Sequence, residues 1–162
     1  MNAFAELLRK SKKKFDLYLV GGDYWKDPAI DQSIELNNLT DRVRKFGHVA
    51  DSELPALYRG AIAFVSPSLH EGFCIPAVEA MACGCPVIGS SQGAMKEIVG
   101  DAGLIVNPNN VDDLVSAMER MSDEKVRKSF LRKGIIRAKK YSWDVFGKNL
   151  YNHIHELDDT TS

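Results

Sequence analysis

Residues 66–90 read SPSLHEGFCIPAVEAMACGCPVIGS, and this stretch predicts a strand end, a tight loop, a short helix and a second strand. The apolar run AIAFV at 61–65 is the strand that leads into it. Pro76 suits the first position of a helix, where its missing N–H costs no hydrogen bond. Gly84 suits the residue just after a helix, where a positive φ is common. We therefore expect a helix over 76–83, flanked by two strands.

The start of that helix is a candidate anion site, because its first N–H groups have no partner within the helix and carry a partial positive charge. Glu71 lies in the preceding loop and Glu79 in the expected first turn. A phosphate bound at the amides of Phe73, Cys74 and Ile75 would have one of these carboxylates on each side. Carboxylates accept hydrogen bonds from sugar hydroxyls, each worth roughly 1.5–3 kcal/mol. The layout suits a sugar linked to a phosphate.

The rest of the chain alternates apolar, strand-like runs with helical patterns, which predicts a parallel, three-layer α/β domain of the Rossmann-like type. We expect one domain over residues 1–157 and a frayed tail over 158–162. Ligands of such sheets bind beyond the carboxyl ends of the strands. The residues that directly follow predicted strands at that end are Gly21, Val49, Glu71 and Gly89.

Composition excludes several classes of function. The net charge of −1 shows no basic excess that would indicate nucleic acid or an acidic membrane as partner. No apolar run reaches 18 residues, and the N-terminal segment does not resemble a signal peptide. The three cysteines show no paired metal-ligand spacing, which indicates reduced thiols. We therefore expect a cytoplasmic protein, or one at the cytosolic face of a membrane, without a transmembrane segment.

Glu71 and Glu79 form a Glu-x7-Glu pair inside HEGFCIPAVEAMACGCPVI. The flanking blocks are FDLYLVGG, DRVRKFGHVADSELPALYRGAIAFVSPS and GAMKEIVGDAGLIVNPNNVDDLVSAM. In this order they resemble the C-terminal, donor-binding domain of retaining, GT-B-fold glycosyltransferases of family 4, the "glycosyl transferases group 1" type. The resemblance covers about residues 3–157.

The resemblance implies a substrate and a role for each motif residue. The substrate would be a nucleotide-diphosphate sugar, UDP- or GDP-linked, whose glycosyl group is transferred with retention. Glu71 would hold the sugar and steady the oxocarbenium-like state, and Glu79 would hold the ribose hydroxyls. The other donor-binding residues implied are Gly72, Phe73, Cys74, Ile75, His70, Val49, Gly21 and Gly22. The resemblance implies neither a metal nor a cofactor.

The resemblance also implies that parts of the family's architecture are missing here. Family members have an N-terminal acceptor domain, and their donor domain begins with a central strand whose loop brings an Arg and a Lys to the diphosphate. In the strand order 3-2-1-4-5-6 that first strand separates the strands ending at Val20 and Val65. Without it these two strands pair directly, leave a groove or borrow a strand. We expect an acceptor domain or partner chain, and self-association through unpaired strand edges.

Two alternatives to a transferase remain at this point. One is a non-catalytic module, or a subunit of a split enzyme, that holds nucleotide sugar without transfer. The other is a glycoside hydrolase with Glu71 and Glu79 as acid and base. A helix start favours ionised carboxylates, which argues against the protonated acid that a hydrolase needs.

Overall fold

The computed structural model describes residues 1–22 and 28–160, with side chains as far as residue 156. Its strands alternate with helices along the chain, as the sequence pattern predicts. In order, the elements are α1 (Asn2–Lys10), β1 (Leu17–Val20), α2 (Pro28–Leu36), β2 (Val43–Gly47), α3 (Leu54–Gly60), β3 (Phe64–Ser66), α4 (Ile75–Ala82), β4 (Val87–Ser90), α5 (Met95–Val99), β5 (Gly103–Val106), α6 (Val111–Met121), α7 (Glu124–Ala138) and α8 (Trp143–Thr160). Short 3-10 turns at Gly100–Ala102 and Lys139–Tyr141 follow α5 and α7. The domain boundary at residue 157 stays a prediction.

The strands form two separate parallel sheets. β1 pairs with β2, with Leu17 opposite Val43. β4 lies between β3 and β5 in the second sheet, with Val87 opposite both Phe64 and Gly103. Within each sheet the neighbours, β2-β1 and β3-β4-β5, agree with the predicted order with its first strand left out. Of the three predicted outcomes, direct pairing of β1 with β3 is wrong, because each of them forms a sheet edge among the described strands.

Helices cover both faces of the larger sheet. On one face, Ala77 and Met81 of α4 pack with Val87 of β4 and Met95 of α5. On the other face, Ile88 of β4 packs with side chains of β5, α6 and α7. β4 is buried throughout, as expected of a central parallel strand with helices on both sides. This arrangement gives the predicted three layers.

One helical layer connects the two sheets. Phe4 and Leu7 of α1 form a core with Leu17 of β1 and Ile34 of α2. Met118 of α6 packs against this core and also against the core of the larger sheet. The sheets are therefore joined through helices, although their strands do not pair.

The central helix α4 begins at Ile75, one residue earlier than predicted, so Pro76 occupies its second position. Glu79 consequently lies beyond the first turn, and its predicted placement in that turn is wrong. The helix ends as predicted, with Gly84 at φ 76° directly after the cap residue Cys83. The N–H of Gly84 donates to the carbonyl of Met81 at 3.0 Å. Pro76 and Gly84 therefore predicted the two ends of this helix to within one residue.

No helix in the part of the chain that the structure describes has both the length and the apolar character to cross a membrane.

Candidate functional site

The Glu71 side chain is positioned from the end of β3. Ser68 Oγ donates a hydrogen bond to Glu71 Oε1 at 2.9 Å. Ser68 Oγ in turn lies 3.2 Å from Oγ of Ser66, the buried last residue of β3. Two hydroxyls thus link the carboxylate to the strand, and Oε2 remains available for a ligand. Ser68 is not among the site residues predicted from the sequence.

The loop after β4 fixes the backbone of Glu71. The N–H of Ala94 donates to the Glu71 carbonyl at 3.0 Å. Gly93 has a φ of 60°, and a Cβ at this position would lie 2.6 Å from that carbonyl oxygen and 2.8 Å from the Glu71 nitrogen. Only glycine allows this approach. The sequence gave no sign of the contact between Gly93 and Glu71, which lie 22 positions apart.

The start of α4 is open to a ligand. Its cap residue, Cys74, forms no side-chain hydrogen bond that would satisfy the first helical amides. Phe73 and Ile75 on either side are 50% and 57% exposed. Cys74 between them is 4% exposed as a whole residue, and burial raises the pKa of its thiol. Phe73 and Ile75 are therefore accessible, whereas Cys74 is buried and its thiol stays protonated at neutral pH.

Glu79 is held from a different helix. The Tyr58 hydroxyl, on α3, donates to Glu79 Oε2 at 3.1 Å. Glu79 is exposed on α4, and its Oε1 atom faces no described hydrogen-bond donor. The sequence pattern gave no reason to link Tyr58 to Glu79, because the two residues are 21 positions apart.

The remaining predicted site residues belong to the smaller sheet or to the loop. Gly21 and Gly22 follow β1 and are exposed, and the Gly21 N–H donates to the carbonyl of Gly47 at 2.9 Å. Val49 lies two residues beyond β2 and is half-buried. His70 is exposed beside Glu71. The described hydrogen bonds connect residues within each group, not across the gap between the sheets.

The predicted residues therefore form two groups at the carboxyl ends of parallel strands. One surrounds the start of α4 and the other follows β1 and β2. Within residues 1–22 and 28–160, no three His, Cys, Asp or Glu side chains cluster as metal ligands would. Metal independence stays a prediction.

The sequence matches the family model described as "Glycosyl transferases group 1" over residues 1–124. The chain belongs to this family of glycosyltransferases. It is 36% identical over 145 residues to the O-antigen chain mannosyltransferase B of Escherichia coli, an alignment covering 89% of this chain and 38% of that protein. The family is enzymatic, and its relatives are named as mannosyltransferases and glycosyltransferases.

Solved structures of glycosyltransferases share the fold. Sucrose-phosphate synthase from Thermosynechococcus elongatus superimposes with a TM-score of 0.83 at 27% identity, over 98% of this chain and 42% of that one. Anabaena HepE, in a complex with UDP-glucose, gives a TM-score of 0.80 at 20% identity, over 96% of this chain and 45% of that one. The chain thus has the α/β fold of the C-terminal half of GT-B glycosyltransferases. It spans about two fifths of the length of these proteins.

Proposed function

We propose that this chain is the donor half of a retaining glycosyltransferase that binds a nucleotide-diphosphate sugar. The observation that carries the proposal is the uncapped start of α4, with a carboxylate anchored on either side. The positive end of the helix dipole suits the diphosphate, and the two carboxylates suit hydroxyl groups linked to it. We assign the sugar to Glu71 and the ribose to Glu79.

The start of α4 would assist the reaction as well as binding. Negative charge develops on the leaving phosphate as the glycosyl bond breaks. Amide groups and a helix dipole that are already oriented stabilise such charge without reorganising. Glu71, held by Ser68 and by the loop at Gly93, would stand at the sugar, where positive charge develops in the oxocarbenium-like state.

The donor in this proposal is UDP- or GDP-linked. A mannosyltransferase among the relatives supports a mannosyl donor, and the UDP-glucose complex of a structural neighbour supports a UDP-linked one. The base would lie at Val49 and the cleft wall at Gly21 and Gly22, across the gap from α4.

The alternative of a subunit or module that binds donor without transferring it has its own support. The sheet is interrupted between β1 and β3, and the apolar side chains of Leu69, Phe73 and Ile75 around the site are exposed. A second domain or chain that supplies an acceptor surface and basic side chains for the diphosphate would cover this half-site. An assay of glycosyl transfer after such a domain or chain is added separates the two functions. Transfer would support the enzyme, and nucleotide binding without transfer would support the binding module.

The first test is a calorimetric titration of the chain with UDP, GDP, ADP and their sugar conjugates. We expect saturable binding of one nucleotide, and we expect Glu79→Gln to weaken it about tenfold or more, because one hydrogen bond to a charged group is lost. Glu119→Gln, an exposed acid on α6, is the matched control and should bind as the unaltered chain does. A folded chain that binds none of these nucleotides at millimolar concentration would contradict the proposal for the chain by itself.

A further inference from the structure

The Tyr58 ring is fixed by packing, and its hydroxyl reaches the site. Tyr58 packs against the core formed by α4, β4 and α5, and its ring meets Phe64 edge-on, with centroids 6.0 Å apart. The N–H of Ala61 donates to the carbonyls of Leu57 and Tyr58, which closes the last turn of α3. The hydroxyl therefore has little freedom to leave Glu79.

The partner that holds Glu79 is neutral. Ion pairs among the described side chains involve neither Glu71 nor Glu79. A phenol orients the carboxylate at Oε2 without neutralising its charge, so Oε1 keeps its full strength as an acceptor. A Lys or Arg in the same place would compete with the hydroxyl groups of a ligand for the carboxylate.

The phenol stays a donor under all ordinary conditions. Burial, followed by the negative charge of Glu79 and the hydrogen bond to it, raises the pKa of Tyr58 far above its usual range. The Tyr58 hydroxyl therefore keeps its proton and remains a hydrogen-bond donor at neutral and mildly alkaline pH.

We propose that Tyr58 is a positioning residue that holds the Glu79 carboxylate in the orientation that binds the two ribose hydroxyls of the nucleotide. The assignment rests on the proposed function, because it presumes that Glu79 meets the ribose. An unrestrained Glu side chain loses rotamer freedom when it binds, and a side chain already held in place loses less. Tyr58 would thus raise the affinity for a ribonucleotide without touching it.

The test compares Tyr58→Phe, Glu79→Gln and the double variant in calorimetric titrations with UDP and GDP and with their 2′,3′-dideoxy forms. We expect Tyr58→Phe to weaken ribonucleotide binding about two- to tenfold, the effect expected when one unrestrained side chain must be ordered on binding. The double variant should bind no more weakly than Glu79→Gln alone. The dideoxy nucleotide, which offers Glu79 no hydroxyl, should bind all four proteins alike. Tyr151→Phe on α8 is the matched control and should change nothing.

Two results would overturn the positioning role while the proposed function stands. One is normal ribonucleotide binding by Tyr58→Phe when Glu79→Gln binds weakly. The other is an equal loss for the ribo and dideoxy nucleotides, which indicates that Tyr58 only supports the fold. If no nucleotide binds the unaltered chain, the proposed function fails and the role of Tyr58 fails with it.

A second measurement examines the contact without any ligand. The urea midpoints of the same four proteins form a double-mutant cycle. We expect the midpoint shift of the double variant to be smaller than the combined shifts of the single variants, because Tyr58→Phe removes the hydrogen bond and Glu79→Gln leaves only a weaker, neutral one. Additive shifts would mean that Tyr58 and Glu79 do not interact, and would overturn the proposal whatever the nucleotide titrations give.

Discussion

Replacing Gly93 by alanine tests how the loop after β4 controls Glu71. The added Cβ would stand 2.6 Å from the carbonyl oxygen of Glu71 and 2.8 Å from its nitrogen. Both are backbone atoms, so no side-chain rotation relieves the clash. The loop must move, and the hydrogen bond from Ala94 to Glu71 must lengthen or break.

The loss of stability in Gly93→Ala has two causes, backbone strain and the steric clash, and a substitution at a second glycine separates them. Gly47 has a φ of 63°, close to the 60° of Gly93, but a Cβ there meets nothing within 4 Å. Gly47→Ala therefore carries only the strain of a left-handed alanine, about 1–2 kcal/mol. Gly93→Ala carries this strain plus the clash, for which overpacking suggests about 1–3 kcal/mol more.

Urea unfolding of the three proteins measures the difference. With an m-value of roughly 2 kcal/mol/M, Gly47→Ala should lower the midpoint by roughly 0.5–1 M. Gly93→Ala should lower it by roughly a further 0.5–1.5 M. It should also weaken binding of a sugar-linked nucleotide more than binding of the free nucleotide, because Glu71 is assigned to the sugar.

The result that would refute this reasoning is equal midpoints for the two variants. It would mean that the loop adapts freely and that Gly93 does not fix Glu71. A large loss of stability in Gly93→Ala, with sugar-nucleotide binding unchanged, would confirm the clash but contradict the assignment of Glu71 to the sugar.

Two further predictions concern stability alone. The side chain of Asn110 accepts a hydrogen bond from the N–H of Asp113 at 3.2 Å and caps α6. Asn110→Ala should therefore lower the free energy of unfolding, measured in urea, by about 1 kcal/mol. Asn109→Ala is the control, and an equal loss in both variants would contradict the capping role. Burial raises the pKa of Cys85 from 9.0 to about 11, so the thiol stays neutral in the folded chain while the unfolded chain ionises. The contribution of the neutral Cys85 thiol to the free energy of unfolding is fully present below about pH 9. It is lost as the pH rises toward 11, by at most about 1.4 kcal/mol per pH unit. Urea midpoints between pH 8 and 10.5 should show this slope, and Cys85→Ala should reduce it. An unchanged slope would assign the loss to other groups, such as Cys74 and Tyr58, whose pKa values are also raised.

The sequence determined the local elements and their order. Pro76 and Gly84 placed α4 to within one residue, because both act through their own backbone conformation. The alternation of strands and helices determined the parallel α/β class, and it predicts that ligands bind at the carboxyl ends of the strands. The Glu-x7-Glu pair and its neighbouring blocks identified the glycosyltransferase family.

The tertiary structure decided what holds those residues in place. Whether β1 and β3 pair depends on which strands find partners, and the sequence left three outcomes open, of which the structure excludes direct pairing. The hydrogen bond from Tyr58 to Glu79 and the contact of Gly93 with Glu71 join residues about twenty positions apart. Such contacts arise only when α3, α4 and the loop after β4 pack around the same sheet. The hydrophobic pattern of the sequence predicts which residues are buried and which form helices or strands, but packing decides which side chains meet.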